Sequence, residues 1–467
     1  MSRLSRPARL AALGWLVWMA TAGLERGRVH PDEVFQYLEP AHRFAFGYGQ
    51  VAWEWQEGLR NWAVPGALGL LLKALALLGL DHPWAFAGAS WALLAFAQAC
   101  GAVALYRLVE EQDGERAAAF GTFVYVTWGG MALYAARSLG DAISVAPLVG
   151  ALLWSVRAHK ADSWRAGAAA GALLGAAFVV RYPSAVFAVP VFVWLLAGRR
   201  LRSCAGLALG MTAVLGALLA LDLATWGFPT AWRYLHYNVL SGGSRQHGVQ
   251  PFWFYAVALA GLAPVLLVVH FALGCARRRI EVYALATYLI AMSLLGHKEA
   301  RFLVPVLPLF VAVAAAPAAK TWERLASAAA WRRGALMLLY LASSVAAATV
   351  QRTVGQHTEL LDAQVRVGRD PRLTGLIVDG APWWRTGGSF YLHRDVPVVF
   401  ATPDSGQKEA SDALADPRFT HAVATERAAL AQRLAEAGFV VQRRDGATTE
   451  WRRGPSPVSP SQTDARF

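Results

Sequence analysis

HPDEVFQYLEPAHRFAFGYGQVAWEWQEGLRNW, residues 30–62, is polar and aromatic and follows an apolar run at 8–24. Further apolar runs lie near 62–80, 84–106, 117–135, 139–156, 166–180, 184–198, 203–224, 252–275, 280–296, 301–318 and 334–351. A hydrocarbon core about 30 Å thick takes about 20 helical residues to cross, so the twelve runs predict a polytopic membrane protein. Basic clusters sit between them at Arg157/Lys160/Arg165, Arg199/Arg200/Arg202, Arg277/Arg278/Arg279 and Arg332/Arg333. Cytoplasmic loops carry the excess of Arg and Lys, which puts all four clusters inside with the N-terminus. From 157 onward the alternation satisfies this requirement. Before 157, five runs separate two cytoplasmic points, and an odd number fails, so one run does not cross. The run at 62–80 has Lys73 in its middle and Pro65 near its start, and is predicted to be an interfacial or re-entrant helix on the outer side. Eleven spans remain, residues 25–83 form the first outer loop, and the chain after 351 lies outside.

Composition agrees. Of the 467 residues, 56% are hydrophobic and 16% charged, whereas charged residues make up about a quarter of a soluble chain. The 19 Trp suit the lipid–water interface, and the 42 Gly let spanning helices approach closely. A net charge of +13 does not signal nucleic acid here, because Arg and Lys stand in short clusters at the ends of apolar runs. Arg3, Arg6 and Arg9 before Leu10–Leu24 resemble a signal peptide, but no small-residue cleavage site follows and an uncleaved first span is expected. Cys100, Cys204 and Cys275 have no CxxC spacing, so neither a disulfide framework nor a thiolate metal site is read. Phosphate-loop, HExxH and dinucleotide-binding glycine motifs are all missing from the sequence.

After 351 the pattern changes. GLIVD (375–379), VPVVFAT (396–402), THAVAT (420–425) and FVVQ (439–442) read as short buried strands, and 408–415 and 426–437 have helical spacing. The expected organisation is a transmembrane domain over 1–351, a small extracytoplasmic α/β domain over 352–450, and a disordered Pro/Ser-rich tail over 451–467.

The polar residues gather on the outer side. The first outer loop holds the adjacent carboxylates Asp32 and Glu33, with His30, Gln36, Glu39, His42, Trp53, Glu54 and Arg60. A solvated linker is the plain reading. Acids set directly after a span and interleaved with aromatics also suit a general base whose substrate has one end in lipid. A second cluster, His297, Lys298, Glu299 and Arg301 in GHKEARFLVPVLPLF, reads as helix-end anchors or as a phosphate clamp. Arg137, Asp141, Arg181 and Asp222 fall on the same side. A third outer segment, Tyr237–Tyr255, begins Tyr237-Asn238 and is rich in glycine and polar groups.

At these residues the sequence resembles the polytopic mannosyltransferases of glycosyltransferase family 22, which act in GPI-anchor and asparagine-linked glycan assembly and have bacterial relatives. HPDE with the following FQ and E, FGYGQVAWEW with LRNW, YN…PFWFY and GHKEARFLVPVLP carry the resemblance, and GGSFYLHRDVPVVF (387–400) looks like the family's C-terminal region. The resemblance implies the C-type glycosyltransferase fold, all-α and polytopic, with a non-spanning juxtamembrane helix in the first outer loop. It implies Asp32 as catalytic acid residue, Glu33 second. From the clustering of polar residues on the outer side, His30, Gln36, Glu39, Trp53, Glu54, Arg60, Arg137, Arg181, Asp222, Tyr237, Asn238, His297, Lys298, Glu299 and Arg301 are the candidate substrate contacts. ARSLGD (136–141) is similar to the family's Arg-containing motif, but Gly140-Asp141 departs from Ser-Asn, and Leu-Ala-Thr after Asp222 departs from the usual Ser and aromatics.

The implied donor is a polyprenyl-phosphate-linked sugar and the acceptor a lipid-linked glycan or glycolipid, with no nucleic acid partner, no cofactor and no obligatory metal. Asp32 takes the acceptor proton, and Lys298, Arg301 and Arg181 hold the leaving phosphate while His297 hydrogen-bonds to it. Trp53 and Trp55 are either sugar platforms or interface anchors. Two alternatives stay open: a polyprenyl-lipid transporter or flippase, and the same fold with another sugar. The Ala- and Arg-rich composition points to a bacterial cytoplasmic membrane with a periplasmic active side; in a eukaryote the site faces the lumen of the endoplasmic reticulum.

Overall fold

The structure is a computed structural model that describes residues 4–27, 30–277, 279–326, 330–352 and 357–454. Arg3, Arg278 and the tail from 455 onward lie outside the described residues. The chain divides into two compact units, one of 1–25, 52–71 and 87–354, the other of 26–51, 72–86 and 355–467. The first outer loop does not stay with the spans, because 26–51 and 72–86 group with the C-terminal region.

The first unit is helical, and every one of the twelve apolar runs falls on helix. Among the described residues, four helices are long and apolar enough to cross a membrane: Pro83–Asp113, Gly140–Ala161, Leu201–Thr225 and Ala300–Leu325. Ala63–Leu77, in the run read as non-crossing, has 15 residues, which at 1.5 Å per residue reach about 22 Å. Other runs are broken by identifiable residues. Pro264, which cannot donate a backbone hydrogen bond, ends the helix Phe254–Leu262 before Val265–Cys275 begins. Trp128 interrupts the run at 117–135 with an extended backbone, and its indole Nε1 donates to the Leu262 carbonyl at 3.0 Å. The residue at one break thus satisfies a carbonyl at the end of the other helix.

Helices Trp164–Val180 and Leu201–Thr225 meet backbone to backbone through glycines. A Cβ built on Gly171 would stand 2.0 Å from the Leu207 carbonyl oxygen, and one on Gly210 2.0 Å from that of Ala168. Only glycine permits that approach, as at small-residue crossings in membranes.

The loops that parity assigns to the inner side also meet. Glu111 pairs with Arg157 at 2.8 Å, Asp113 with Arg277 and Arg279, and Arg6 with Glu115 at 2.9 Å.

The second unit carries a five-stranded sheet of β1 Leu376–Asp379, β2 Val398–Ala401, β3 His421–Ala424, β4 Phe439–Asp445 and β5 Thr448–Arg453, in the order β2-β1-β3-β5-β4. β1 pairs in parallel with β2 and β3, and β5 joins β3 to β4 in antiparallel. β1 and β3 are buried along their whole length, which is why they read as unbroken apolar runs. One face packs Ala410, Leu414, Leu434 and Phe439, the other Leu360, Val367 and Leu392. Two expectations need correction. Residues 451–453, assigned to the tail, belong to β5. The helix expected over 426–437 forms only at Ala431–Glu436, because the Asp379 carboxylate accepts hydrogen bonds from the Ala429 and Leu430 amides at 3.2 and 2.8 Å and turns the chain there.

Candidate active site

Within the second unit, Pro31 opens a helical stretch that passes through a π-helix at Glu33–Leu38 into an α-helix at Glu39–Phe46. Pro40 lacks the amide that would bond the Gln36 carbonyl and its ring crowds that oxygen, so a wider turn is needed directly before it. Asp32 sits at the start of the π-helix. Its amide donates to His30 Nδ1 at 3.1 Å, leaving the ring proton of a neutral His30 on Nε2. The Asp32 side chain is 25% exposed, whereas Glu33 is 2% and Gln36 5% exposed. Of the two adjacent acids, Asp32 is the accessible one.

Glu39, expected among the substrate contacts, is instead fully buried and holds backbone. Oε1 accepts from the Gln50 and Ser389 amides at 2.6 and 3.0 Å, and Oε2 from that of Phe390 at 2.8 Å. Burial pushes its carboxyl above the usual range against the pull of these donors. Gly388 makes the contact possible: its φ is +60°, and a Cβ there would lie 2.6 Å from Glu39 Oε2. Gly388→Ala is expected to lower stability by about 1–2 kcal/mol from the left-handed backbone alone, and further by displacing Glu39. The thermal unfolding midpoint in detergent checks this, and an unchanged midpoint would show that Glu39 is not a structural clamp.

In the first unit several helix ends converge on Asp141, which is 1% exposed. Arg181 Nε lies 2.8 Å from Asp141 Oδ1, and Arg301 Nη1 donates to Oδ2 at 3.4 Å. The other side of the Arg301 fork holds Glu299 with both Nε and Nη2 at 2.8 Å. His297 Nε2 stands 3.0 Å from Glu299 Oε1, a hydrogen bond that holds its imidazole above the ordinary value. The third outer segment closes on this cluster: His247 packs 5.9 Å from His297 and stacks 5.4 Å from Trp53, which also touches Tyr237 at 5.2 Å. The departure at Gly140-Asp141 is thus explained. A carboxylate at 141 ties two arginines together, and that pattern was the signal for a role the motif comparison left undefined.

Other expected contacts are occupied structurally. Lys298 is 5% exposed and donates to the carbonyls of Gln250, Leu295 and Gly296, fastening the Gln250 segment to the turn. Asp222 Oδ2 accepts from Thr230 N and Oγ1 at 2.8 and 2.7 Å. Tyr182 and Asn61, not singled out in the sequence, extend this network at 2.6 and 2.9 Å. Arg137 donates to the Glu25 carbonyl at the end of the first helix and lies 5.3 Å over the Trp91 ring. Glu54 and Arg60 form an ion pair at 3.0 Å, and Asn238 donates to the Tyr234 carbonyl. Trp55 is 4% exposed between Trp62 and Trp226 and is core, not a sugar platform. Among the described residues, no three His, Cys, Asp or Glu side chains are grouped so as to hold a metal ion.

The sequence profile of the Alg9-like mannosyltransferase family matches residues 13–393. A GPI mannosyltransferase 3 of Yarrowia lipolytica is 28% identical over 386 residues, covering 80% of this chain and 72% of that protein. The Xenopus laevis GPI alpha-1,2-mannosyltransferase 3 is 29% identical over 296 residues, 60% of this chain and 54% of its own length. The fold is that of ArnT from Cupriavidus metallidurans, solved with undecaprenyl phosphate, at TM-score 0.60 and 16% identity over 96% of this chain and 98% of that one. The Archaeoglobus fulgidus oligosaccharyltransferase tethered to an acceptor peptide aligns at TM-score 0.54 and 13% identity, over 97% and 75%. From a profile spanning most of its length, the chain belongs to the Alg9-like mannosyltransferase family of membrane glycosyltransferases.

Proposed function

We propose that the protein transfers mannose from a polyprenyl-phosphate carrier to a lipid-linked glycan or glycolipid, with inversion at the anomeric carbon. The Arg301 fork carries this reading: a planar guanidinium already holding a carboxylate in bidentate fashion is arranged for the oxygens of a phosphate. Asp32 takes the proton of the acceptor hydroxyl as that oxygen bonds to the anomeric carbon. The bond from that carbon to phosphate breaks, and the carrier phosphate leaves as an anion. It displaces Glu299 from Arg301, with Arg181 and His297 adding charge and a hydrogen bond. Charge stabilisation then comes from guanidinium groups without a required metal. The reading keeps eleven spans and puts Asp32 on the non-cytoplasmic side, periplasmic in a bacterium and lumenal in the endoplasmic reticulum. A transporter would need its charges near mid-helix, whereas Arg181 caps a helix and Arg301 lies in the first turns of another.

The test is purified full-length protein in nanodiscs with radiolabelled polyprenyl-phosphate-mannose and a membrane lipid extract. Label should move to a new lipid-linked product. Transfer only from a glucose- or arabinose-charged carrier would keep the fold and change the sugar, and no transfer from any charged carrier would overturn the reading.

A further inference from the structure

The second unit contains an open cavity of about 820 Å³ that none of the roles above uses. Pockets of roughly 300–1,000 Å³ are the size that hold organic ligands. Its wall mixes Asp81 and Asp395 with Arg369 and Arg394, and adds the imidazole of His393 and the phenol of Tyr48. Among the described residues, Arg369, Arg394 and Asp395 take part in no ion pair within 4 Å.

One part of the wall is fixed with unusual care. His42 is completely buried, and its Nδ1 faces the Tyr48 carbonyl at 3.3 Å while Nε2 meets His393 Nδ1 at 2.9 Å. His393 Nε2 in turn meets Asp81 Oδ1 at 2.9 Å. A carbonyl only accepts, so the His42 proton belongs on Nδ1 and its Nε2 accepts from His393. A carboxylate also accepts, so His393 turns an N–H toward Asp81 and the chain of contacts runs from the Tyr48 carbonyl to that carboxylate. His393 adopts a left-handed φ of 48°, and the rings of Phe46 and Phe86 pack on it at 4.8 and 5.4 Å. Strained backbone held by a complete set of partners is a mark of a functional wall.

The charges identify the ligand class. An isolated anion would meet Asp81 and Asp395, an isolated cation the arginines, and a lipid tail would leave all of them desolvated. A polyhydroxylated ligand suits both signs, since a carboxylate accepts from neighbouring hydroxyls and a guanidinium donates to them. The position fits as well. From Asp32 to its end at Phe46 in the cavity wall, the helical stretch runs about 20 Å at 1.5 Å per residue. We propose that this cavity is a glycan subsite, holding sugar units of the acceptor remote from the hydroxyl that reacts. The proposal rests on the mannosyltransferase reading for its choice of acceptor, and on the cavity alone for its binding chemistry.

Binding and transfer separate the two. Full-length protein in nanodiscs is titrated with α-linked mannotriose, with mannose and with inorganic phosphate. Mannotriose should bind more tightly than either, and Asp395→Ala and Arg369→Ala should each weaken it about tenfold. Both side chains are exposed, so folding is not at stake. In the transfer assay the same variants should raise the acceptor KM for an oligosaccharide-bearing lipid and leave kcat unchanged. No mannotriose binding, binding indifferent to both variants, or phosphate binding more tightly would overturn the subsite. A wild type that binds mannotriose through these residues but transfers no sugar would overturn the enzymatic reading and leave the subsite standing.

Discussion

Asp32→Asn should reduce transfer by about 10²- to 10⁴-fold, the range supplied by a positioned general base, while the protein folds and inserts as before. The asparagine keeps the volume of the side chain and the amide contact to His30 Nδ1, which comes from the backbone. The capacity to accept a proton is lost, together with the charge that stands 3.9 Å from His30 Nδ1. The labelled-lipid assay measures the rate, and the unfolding midpoint confirms that structure is unchanged. A variant that retained most of its activity would place the base elsewhere. Glu33, 2% exposed, would have to become accessible to replace it.

Arg301→Ala should cost about 10²- to 10³-fold in kcat, as expected on removing a preorganised charge contact from a leaving group. Removing one member of a buried ion-pair cluster also destabilises, so two further variants separate the effects. Arg301→Lys keeps the charge and loses the fork, and should recover stability more fully than rate. Glu299→Gln weakens the carboxylate that occupies the fork, and should lower the donor KM several-fold. A donor KM that rose in Glu299→Gln would mean that Glu299 is itself a substrate contact.

The apolar runs told the helical unit well, because a hydrocarbon core imposes length and polarity on each helix separately. β1 and β3 were legible for a related reason: a parallel strand covered on both faces is apolar throughout. β5 was not, since TTEWRR has a single apolar side chain, Trp451, among polar and charged ones and owes its place to pairing with β3 and β4. The helix Thr358–Gly368 was also passed over, its apolar residues being spaced along one face instead of forming a run. In the site, residue type announced that Asp32, Arg301 and Glu299 were functional candidates, but not which polar groups are consumed by the fold. Lys298 is taken up by three carbonyls and Glu39 by three amides, and those partners become visible only in three dimensions.

The Glu39 clamp also sets an order of events in the life of the chain. Its carboxylate leaves the ribosome early, but two of the three amides it needs follow 350 and 351 residues later. Contacts so far apart in sequence close late, after their loop entropy has been met by other structure. Domains of a growing chain otherwise fold as they emerge. The segment bearing the proposed base is thus made first and set last, once the stretch around Ser389 and Phe390 has reached it.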